Sequence, residues 1–529
     1  MNTKLILIFI FILGTVTMLD ASTNIPLPVI PSSQFLITDY GATTTSENNA
    51  AAINAAITAA NSAGGGTVVL PAGTFLSGII TMKSNVRLLL QSGDTLRILP
   101  YGSGNGTLPN TYPNNGTTDQ YNPFIFGASL SNIEVSGSGV IDGQGQAWWT
   151  AYQSNSNMKR PSLIRFKSCN TVLVTGITLM NSPGVHLTMG QSSSVLGTNA
   201  TISHLTIKAP STSPNTDAID TWYWNGIYIH DCYLSVGDDD VAMDSYTQNI
   251  TIKHLTCTSG HGISVGSYAT GVNTITVDSC SLTTTDNGLR LKAARDRGGS
   301  ESLACTNVSY SNITMKNVTN PIYVTSYYFQ TGDTLKDPAQ AVTSTTPTWK
   351  NISYKNITIT GSPTAGYIWG LPESPVKNLT FDNVKISATT QGITIIHADS
   401  VVFKNCSSIT IPSGKGNAIY KQYDLLRFSG INSTTGKSTS CTTEVELPKS
   451  TQAIRCFPLQ TKGKITIESN DTPIDYVTLY SLTGKSVISI GVGHTLSTEV
   501  DISSLNLGFY IIKVSTIDGK IFTDKVIRN

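Results

Sequence analysis

The sequence contains little charge and almost no excess of either sign. Asp, Glu, Lys and Arg make up 13% of the residues, with a formal net charge of +1, whereas an average soluble domain is roughly 25% charged. A nucleic-acid partner would require a basic surface, so no such partner is expected. Long apolar runs are scarce as well, because beyond the N-terminal segment none approaches the roughly 20 residues that span a membrane.

The N-terminal segment has the pattern of a secretory signal peptide. Lys4 precedes an apolar run at residues 5–13, a weaker stretch to Leu19, and the small residues Ala21 and Ser22. We therefore predict a signal peptide at residues 1–22. A membrane anchor is the alternative, but residues 5–19 are too short to cross a bilayer.

No CxxC metal pattern occurs among the 8 cysteines. Four of them, Cys232, Cys257, Cys280 and Cys305, recur at intervals of 25, 23 and 25 residues. An exported chain could use such cysteines for disulfides, but cysteine is also a small apolar residue that packs well in a core. Stacked core thiols are at least as well supported as a disulfide framework.

A repeat in which apolar residues alternate within two short segments accounts for most of the chain. Two strands joined by a bend fit each copy, and each copy buries its apolar side only by stacking on its neighbours. Copies begin at Ile133, Val172, Ala200, Ile227, Ile250, Ile275, Val308, Ile352, Leu379 and Val401. We predict an all-β fold, a right-handed parallel β-helix at residues 23–430.

The two ends of the repeat differ from it in composition. A helix that starts near Ser46, with Ile53 and Ile57 on one face, is predicted to cap the first turn of the β-helix. After a linker at 431–456, residues 457–529 contain six or seven short alternating segments, which predict a small β-sandwich.

Polar residues recur at one place in the repeat between residues 215 and 292. Asp217 and Asp238 are 21 residues apart, Asp239 and His261 are 22 apart, and His261 and Arg290 are 29 apart. Because stacked strands lie about 4.8 Å apart, the repeat should bring these side chains into one groove. The four clusters are Asn215-Thr216-Asp217, Gly237-Asp238-Asp239, Gly260-His261-Gly262 and Arg290-Leu291-Lys292.

These side chains can divide acid, base and binding roles between them. Strand alternation buries Leu291 and points Arg290 and Lys292 to the same outer face, where they could clamp an anion. Asp238 and Asp239 can share the groove only if the chain turns, which Gly237 would permit. Close carboxylates shift one another's pKa, so one can act as an acid while another acts as a base, as glycoside hydrolysis requires. A structural turn ladder or a calcium site are the alternatives.

The four clusters resemble the four motifs of glycoside hydrolase family 28, the polygalacturonases, and the resemblance covers roughly residues 35–430. It implies inverting hydrolysis of α-1,4-galacturonan in pectin, with no metal or other cofactor. Asp238 would be the general acid, Asp217 and Asp239 would position and deprotonate water, and His261 would tune the acid. The residues implied in substrate binding are Arg290 and Lys292, which would hold the substrate carboxylate, Asn215, and Tyr328, the tyrosine favoured after Pro321-Ile322.

One departure from the family pattern is Asp240, which stands where the family usually has a cysteine bonded to the position of Cys257. The third consecutive acid adds negative charge and bears on the pH optimum and the fit to plain polygalacturonate. A rhamnogalacturonan or xylogalacturonan hydrolase, a calcium-dependent lyase, and a non-catalytic β-helix that binds acidic polysaccharide are the alternatives. Residues 101–123 and 330–348 are candidate groove walls.

The C-terminal segment resembles the sorting domain of type IX secretion through Tyr480 to Gly484, Asp501 to Leu505, Gly508 to Tyr510, and the final Lys525-Val526. The resemblance implies a Gram-negative bacterium, the outer-membrane secretion machinery as a partner, and a secreted or cell-surface location. A carbohydrate-binding sandwich is the alternative, but the segment has no Trp for an aromatic platform. We expect a monomer.

Overall fold

The computed structural model describes residues 25–102, 123–190, 195–330, 337–422, 427–439, 454–457, 460–469, 472–481, 484–518 and 520–529. The predicted signal peptide lies outside these residues, as do parts of the predicted linker and of both groove-wall segments. Within the described part of the chain, no helix is long and apolar enough to cross a membrane.

The chain up to Cys441 forms one compact unit in which short strands pair in parallel with those of the preceding and following turns. Three parallel sheets result, which confirms the predicted parallel β-helix. Sheet 1 contains Gln34–Leu36, Gly66–Leu70, Val86–Leu90, Ser131–Gly137, Asn170–Thr175, Gly197–Ser203, Trp224–His230, Thr247–Lys253, Asn273–Asp278, Cys305–Ser311, Ala398–Lys404 and Phe428–Ser429.

Sheets 2 and 3 complete each turn of the coil. Sheet 2 contains Gly73–Ser77, Asp94–Ile98, Val140–Asp142, Thr178–Met180, Thr206–Lys208, Tyr233–Ser235, Thr256–Cys257, Ser281–Thr283, Thr314–Lys316 and Ser408–Thr410. Sheet 3 contains Ile80–Thr81, Ile125–Ala128, Ile164–Lys167, Leu187–Met189, Ile219–Thr221, Val241–Met243, Ile263–Val265, Asn287–Lys292, Asn320–Thr325 and Ile419–Gln422. Two longer strands, Trp349–Trp369 and Val376–Ile396, pass through all three sheets.

The core is a set of side-chain stacks that run along the coil. One stack is aromatic: Tyr310, Tyr354, Phe381 and Phe403 lie face to face, with neighbouring ring centroids 5.3, 4.9 and 4.6 Å apart. The four repeating cysteines are all free and buried. Of the two alternatives left by their spacing, stacked core thiols is therefore the correct one.

The bend between sheets 1 and 2 has a left-handed residue, and asparagine often occupies it. Asn312, Asn356 and Asn383 have φ values of 54°, 53° and 53°. Asparagine tolerates this conformation better than most residues. Its amide also links the turns, since Asn356 Nδ2 donates to Asn312 Oδ1 at 3.1 Å and Asn383 Nδ2 donates to Asn356 Oδ1 at 3.0 Å.

Two helices pack against the coil. The predicted cap is present as Ala50–Ser62, with Ile53 and Ile57 buried, and it starts about one turn later than predicted. At this end, Asn48 Oδ1 accepts a hydrogen bond from the Ala50 amide at 2.9 Å. A second helix, Gly145–Ser154, was not predicted. It buries Trp148 and Trp149 and carries Tyr152.

The second compact unit begins at Thr442. One of its sheets contains Ile454–Phe457, Lys464–Ser469 and Ser497–Asp501, and the other contains Gln460–Thr461, Ile474–Ser481, Ser486–Thr495, Gly508–Thr516 and Ile521–Arg528. Both contribute to one apolar core, which includes Ile467, Val477 and Ile512. This confirms the predicted sandwich, while the domain limits stay predictions.

Asp94 generates a prediction about stability. Its side chain is 1% exposed, neither carboxylate oxygen has a hydrogen-bond partner among the described residues, and burial raises its pKa to about 8. The unfolded chain releases this proton near pH 4, so folding should become less favourable as the pH rises from about 4 to about 8. Asp94→Asn does not titrate, and its stability relative to the wild type should grow by on the order of 4 kcal/mol between pH 5 and pH 8.

Melting temperatures of both proteins at the two pH values test this prediction. Asp296→Asn is the control, because the Asp296 side chain is almost fully exposed. An Asp94→Asn advantage that does not change with pH would show that Asp94 is ionised in the folded protein.

Candidate active site

The motif residues before Arg290 lie in the bends that lead from sheet 2 into sheet 3. The strands after these bends are neighbours in sheet 3, with four residues in register: Ile219, Val241, Ile263 and Leu289. Asp217, Asp239 and His261 each stand two residues before these positions, on three successive turns. Backbone bonds hold the bends together, since Ala218 N donates to Asp239 O at 2.9 Å and His261 N donates to Asp238 O at 2.8 Å.

Close backbone approach explains two of the motif glycines. A Cβ atom at Gly237 would lie 2.2 Å from Ser213 O, and Gly237 does not have a positive φ. The glycine is therefore required by space and not, as predicted, by a special turn conformation. Gly260 combines both needs, with φ +111° and Asp238 O 2.7 Å from the added atom.

Asp238 forms a hydrogen-bonded pair with His261. Asp238 Oδ1 lies 2.9 Å from His261 Nδ1, and Oδ2 accepts from Asn215 Nδ2 at 3.2 Å. On the far side of the ring, His261 Nε2 lies 3.4 Å from Asp286 Oδ2. Burial raises the pKa of Asp238, but the bond and the charge of His261, with Lys292 and Arg290, outweigh it and lower the pKa below its usual value. The same bond raises the pKa of His261.

Asp239 is held by both motif cations. Arg290 Nη2 donates to Asp239 Oδ1, and Lys292 Nζ donates to Oδ2 at 2.8 Å. Ser264 Oγ lies between the two charges, donating to Asp239 Oδ1 at 2.9 Å and accepting from Arg290 Nε at 2.9 Å. Arg290 and Lys292 are only 5% and 4% exposed. The cations thus lie in a buried network with Asp239, where the sequence had suggested an open clamp.

Tyr328 lies beside this network. The Lys292 ammonium is 4.9 Å from the centroid of the Tyr328 ring, a cation–π contact. The structure therefore places the favoured tyrosine next to one of the two predicted clamp residues. Tyr323, the other nearby tyrosine, lies in sheet 3 in register with Arg290.

Asp217 is half-buried and has further acids around it. Burial, followed by the charges of Asp220, Asp238 and Asp239, raises the pKa of Asp217 well above its usual value, while Lys292 lowers it. Asp220 was missed by sequence reasoning, although strand alternation between Ile219 and Thr221 points it into the groove. Burial and the charges of three acids, first among them Asp244, raise the pKa of Asp220 well above its usual value too.

Arg160 was also missed, and it orients Asn215. Its Nη2 donates to Asn215 Oδ1 at 2.7 Å, its Nη1 donates to Pro183 O at 2.9 Å and Pro214 O at 2.5 Å, and it stacks on Tyr152 at 3.7 Å. Because Asn215 Oδ1 is occupied, Nδ2 must face Asp238. No repeat spacing signals Arg160, because it belongs to the segment after the unpredicted second helix.

Asp240 turns away from the groove into the core. It is 0% exposed, and its Oδ2 accepts a hydrogen bond from the Gly262 amide at 2.9 Å. Burial raises the pKa of Asp240 well above its usual value, against the hydrogen bonds from Gly262 and Cys257. Burial therefore favours the neutral form of this carboxyl, which opposes the added negative charge that the sequence suggests. The hydrogen bond to Gly262 ties Asp240 to the bend that carries His261.

A divalent cation fits this set of side chains poorly. Ligand atoms of Asp238, Asp239 and His261 lie within 4.8 Å of one another. Calcium prefers six to eight oxygen ligands, whereas the Asp239 oxygens here already accept from Arg290 and Lys292. Two positive charges beside the same carboxylate would oppose a third cation.

A parallel β-helix with clustered carboxylates, a histidine and two cations that bind one of the carboxylates has the features of a polysaccharide-cleaving glycoside hydrolase. Residues 65–407 match the glycosyl hydrolases family 28, and the chain belongs to this family. It is 33% identical over 347 residues to an endo-polygalacturonase of Pectobacterium carotovorum subsp. carotovorum, covering 61% of this chain and 80% of that protein.

Two solved structures have the same fold. A polygalacturonase from Erwinia carotovora ssp. carotovora superposes with a TM-score of 0.56 and 26% identity, covering 77% of this chain and 99% of that one. An exopolygalacturonase from Thermotoga maritima superposes with a TM-score of 0.60 and 22% identity, covering 76% and 94%.

Residues 455–529 match the secretion system C-terminal sorting domain. This match confirms the predicted sorting domain over the carbohydrate-binding alternative. It indicates export by type IX secretion and an extracellular or cell-surface hydrolase.

Asp240 provides a prediction that separates structure from chemistry. Asp240→Asn keeps a neutral acceptor for the Gly262 amide, so kcat and melting temperature should stay close to wild type. Asp240→Ala leaves that buried amide unpaired, at a cost of about 1–3 kcal/mol, and should melt lower while retaining most of its kcat. Thermal melts and rates on polygalacturonate test this prediction. If Asp240→Asn were inactive, the three consecutive acids would be shifted by one residue relative to the family motif, and their roles would have to be reassigned.

Proposed function

We propose that the protein hydrolyses the α-1,4-galacturonosidic bonds of pectin or polygalacturonate, with inversion at the anomeric carbon and without a metal ion. The observation that carries this proposal is that the carboxylates of two neighbouring residues have different partners. Asp238 bonds to a histidine, and Asp239 bonds to two cations. The names of the polygalacturonase relatives point to the same substrate.

Asp238 is proposed as the general acid, with its proton supplied through His261. In the free groove the pair shares one proton that lies toward His261, since the pKa of His261 is raised and that of Asp238 is lowered. A bound sugar would exclude water, and burial disfavours charged forms. The proton would then move along the 2.9 Å bond to Asp238, from where it can reach the leaving oxygen.

Asp217 and Asp239 are proposed to hold and deprotonate the attacking water. They stand at the same position of adjacent turns, joined by the bond from the Ala218 amide to Asp239 O. Burial and the charges of the nearby acids raise the pKa of Asp217, which makes its carboxylate, when ionised, a stronger base than an ordinary aspartate. An inverting reaction requires this base on the opposite side of the sugar from the acid.

Arg290, Lys292, Asn215 and Tyr328 are proposed to bind the sugar at the cleavage site. A galacturonate carboxylate would share the two cations with Asp239, and Arg can bind such a group through two parallel hydrogen bonds. The ring of Tyr328 faces the Lys292 ammonium and offers an apolar face to the sugar. Two cations in the groove favour a uronate over a neutral sugar there.

The reaction type can be tested directly on polygalacturonate. New reducing ends should appear in the presence of a chelator, without the ultraviolet absorbance of unsaturated products. Nuclear magnetic resonance of the earliest product should show the β-anomer before mutarotation. Absence of product would indicate a binding protein, and unsaturated ends would indicate a lyase. An α-anomer as the first product would exclude inversion. Faster cleavage of a decorated pectin would identify that polymer as the substrate.

Asp238→Asn separates the acid from the base. Loss of general acid catalysis should lower kcat by roughly 10²–10⁴-fold with little change in KM. An aryl galacturonide, whose leaving group needs no proton, should partly restore the rate of Asp238→Asn. It should not restore Asp217→Asn or Asp239→Asn, and rescue of either of these instead would reassign the acid.

His261→Gln tests the shared proton. The wild type should lose activity as the pH rises through the raised pKa of His261, which lies above the usual value of about 6.5. Without the imidazole, a carboxyl group alone must keep the proton, so the alkaline limb of kcat/KM should move to lower pH and kcat should fall. A lower kcat with an unmoved alkaline limb would limit His261 to a structural role.

A further inference from the structure

Beside the catalytic residues, one side of the groove carries an exposed aromatic and cationic surface. The Arg297 guanidinium lies 4.8 Å from the ring centroids of both Tyr268 and Phe329. Trp222 continues this surface, with its ring centroid 5.5 Å from that of Tyr268. We call Trp222, Tyr268, Arg297 and Phe329 the aromatic platform. All four follow strands of sheet 3, so the platform runs along the coil.

Phe329 has an exposed ring and a backbone conformation that a bulky residue disfavours. It is 63% exposed, and its φ is +69°. A bulky residue with positive φ is a genuine outlier, and such strain tends to persist where a binding or catalytic site requires it. Because the ring is exposed, it adds little to the packing of the core. Stability therefore does not explain Phe329, whereas a ligand that covers its ring would.

Backbone hydrogen bonds fix the position of Arg297, and its guanidinium has only a weak ion pair among the described residues. Its amide donates to Ala294 O at 3.0 Å, and its carbonyl accepts from Ala269 N at 2.9 Å. Among the described residues, the carboxylate within ion-pair range is that of Asp296, 4.0 Å from Nε and itself almost fully exposed. The guanidinium edge can therefore accept an incoming carboxylate without breaking a buried ion pair.

The platform is continuous with the catalytic centre. Phe329 and Tyr328 have ring centroids 3.9 Å apart, and Tyr328 lies against Lys292. Tyr268 is anchored from the same side, because its amide donates to Asp244 Oδ1 at 2.8 Å. A polymer chain cleaved at Asp238 could thus extend over the platform without leaving the groove.

We propose that the aromatic platform is a second binding site for the polymer, which takes a uronate residue away from the cleaved bond. The apolar face of the sugar ring would pack on Phe329 or Tyr268, and its carboxylate would bind Arg297. This proposal rests on the proposed function, because it assumes an acidic polysaccharide in the groove. It adds a dependence on chain length that the catalytic residues alone do not provide.

The test compares Phe329→Ala and Arg297→Gln with wild type on galacturonate oligomers from trimer to hexamer. A charged hydrogen bond contributes about 1.5–3 kcal/mol, so Arg297→Gln should lower kcat/KM on the hexamer by about tenfold or more. Phe329→Ala removes the apolar face on which the sugar ring would pack, and it should lower kcat/KM on the hexamer as well. The loss should come through KM, since the platform does not touch the cleaved bond, and the trimer should be cleaved as before. Arg297→Lys keeps the charge and should recover part of the loss.

Tyr233→Ala is the matched control, because Tyr233 is also an exposed aromatic with a cation, Lys208, 5.4 Å from its ring, but lies in sheet 2. If Phe329→Ala and Arg297→Gln behave like this control at every length, the proposal is overturned. If wild type cleaves no oligomer, the proposed function fails instead. Calorimetric binding of the hexamer then decides, with weaker binding to both variants supporting the platform and unchanged binding overturning it.

Discussion

Parallel hydrogen bonding between successive turns is the constraint on which the site depends. Because Ile219, Val241, Ile263 and Leu289 share one register, residues 22 to 26 positions apart in sequence become neighbours. No loop has to be folded onto the site for this to happen. The pairing of the strands sets the spacing of the bends, and the packing of the buried apolar stacks sets the spacing of the strands.

Charge balance decides what the clustered acids can do. The charges of Asp238 and Asp239 raise the pKa of both Asp217 and Asp220, and four ionised carboxylates so close together would be costly. The cluster is stabilised in three ways: Arg290 and Lys292 neutralise Asp239, His261 pairs with Asp238, and burial favours protons on Asp217 and Asp220. At Asp240, in the core, burial favours the neutral acid, which avoids a further negative charge beside the cluster.

The sequence predicted what the repeat encodes and missed what it does not. Strand alternation and the spacing of the motifs placed Asp217, Asp239 and His261 on adjacent turns, because a stacking fold converts sequence period directly into distance. Arg160 reaches Asn215 from outside the repeat, and nothing in its spacing indicates that contact. The network around Asp239 was hidden for another reason: alternation shows which face a side chain takes, but not whether a neighbour neutralises its charge there.

The two edges of sheet 3 differ in how much they can vary. The bends before its strands at residues 236–240, 258–262 and 284–286 have five residues or fewer, while the one that carries Asp217 is longer, at 209–218. The connections after the strands grow along the coil, from 222–223 to 293–304 and 326–348. A change of length in the first set would shift a carboxylate or the imidazole out of register with its partners. The second set can change without moving the reacting groups. The proposed reacting groups thus lie at the edge where the register fixes their positions, whereas Arg297 and Phe329, which we propose to bind the polymer, lie at the edge where the connections vary in length.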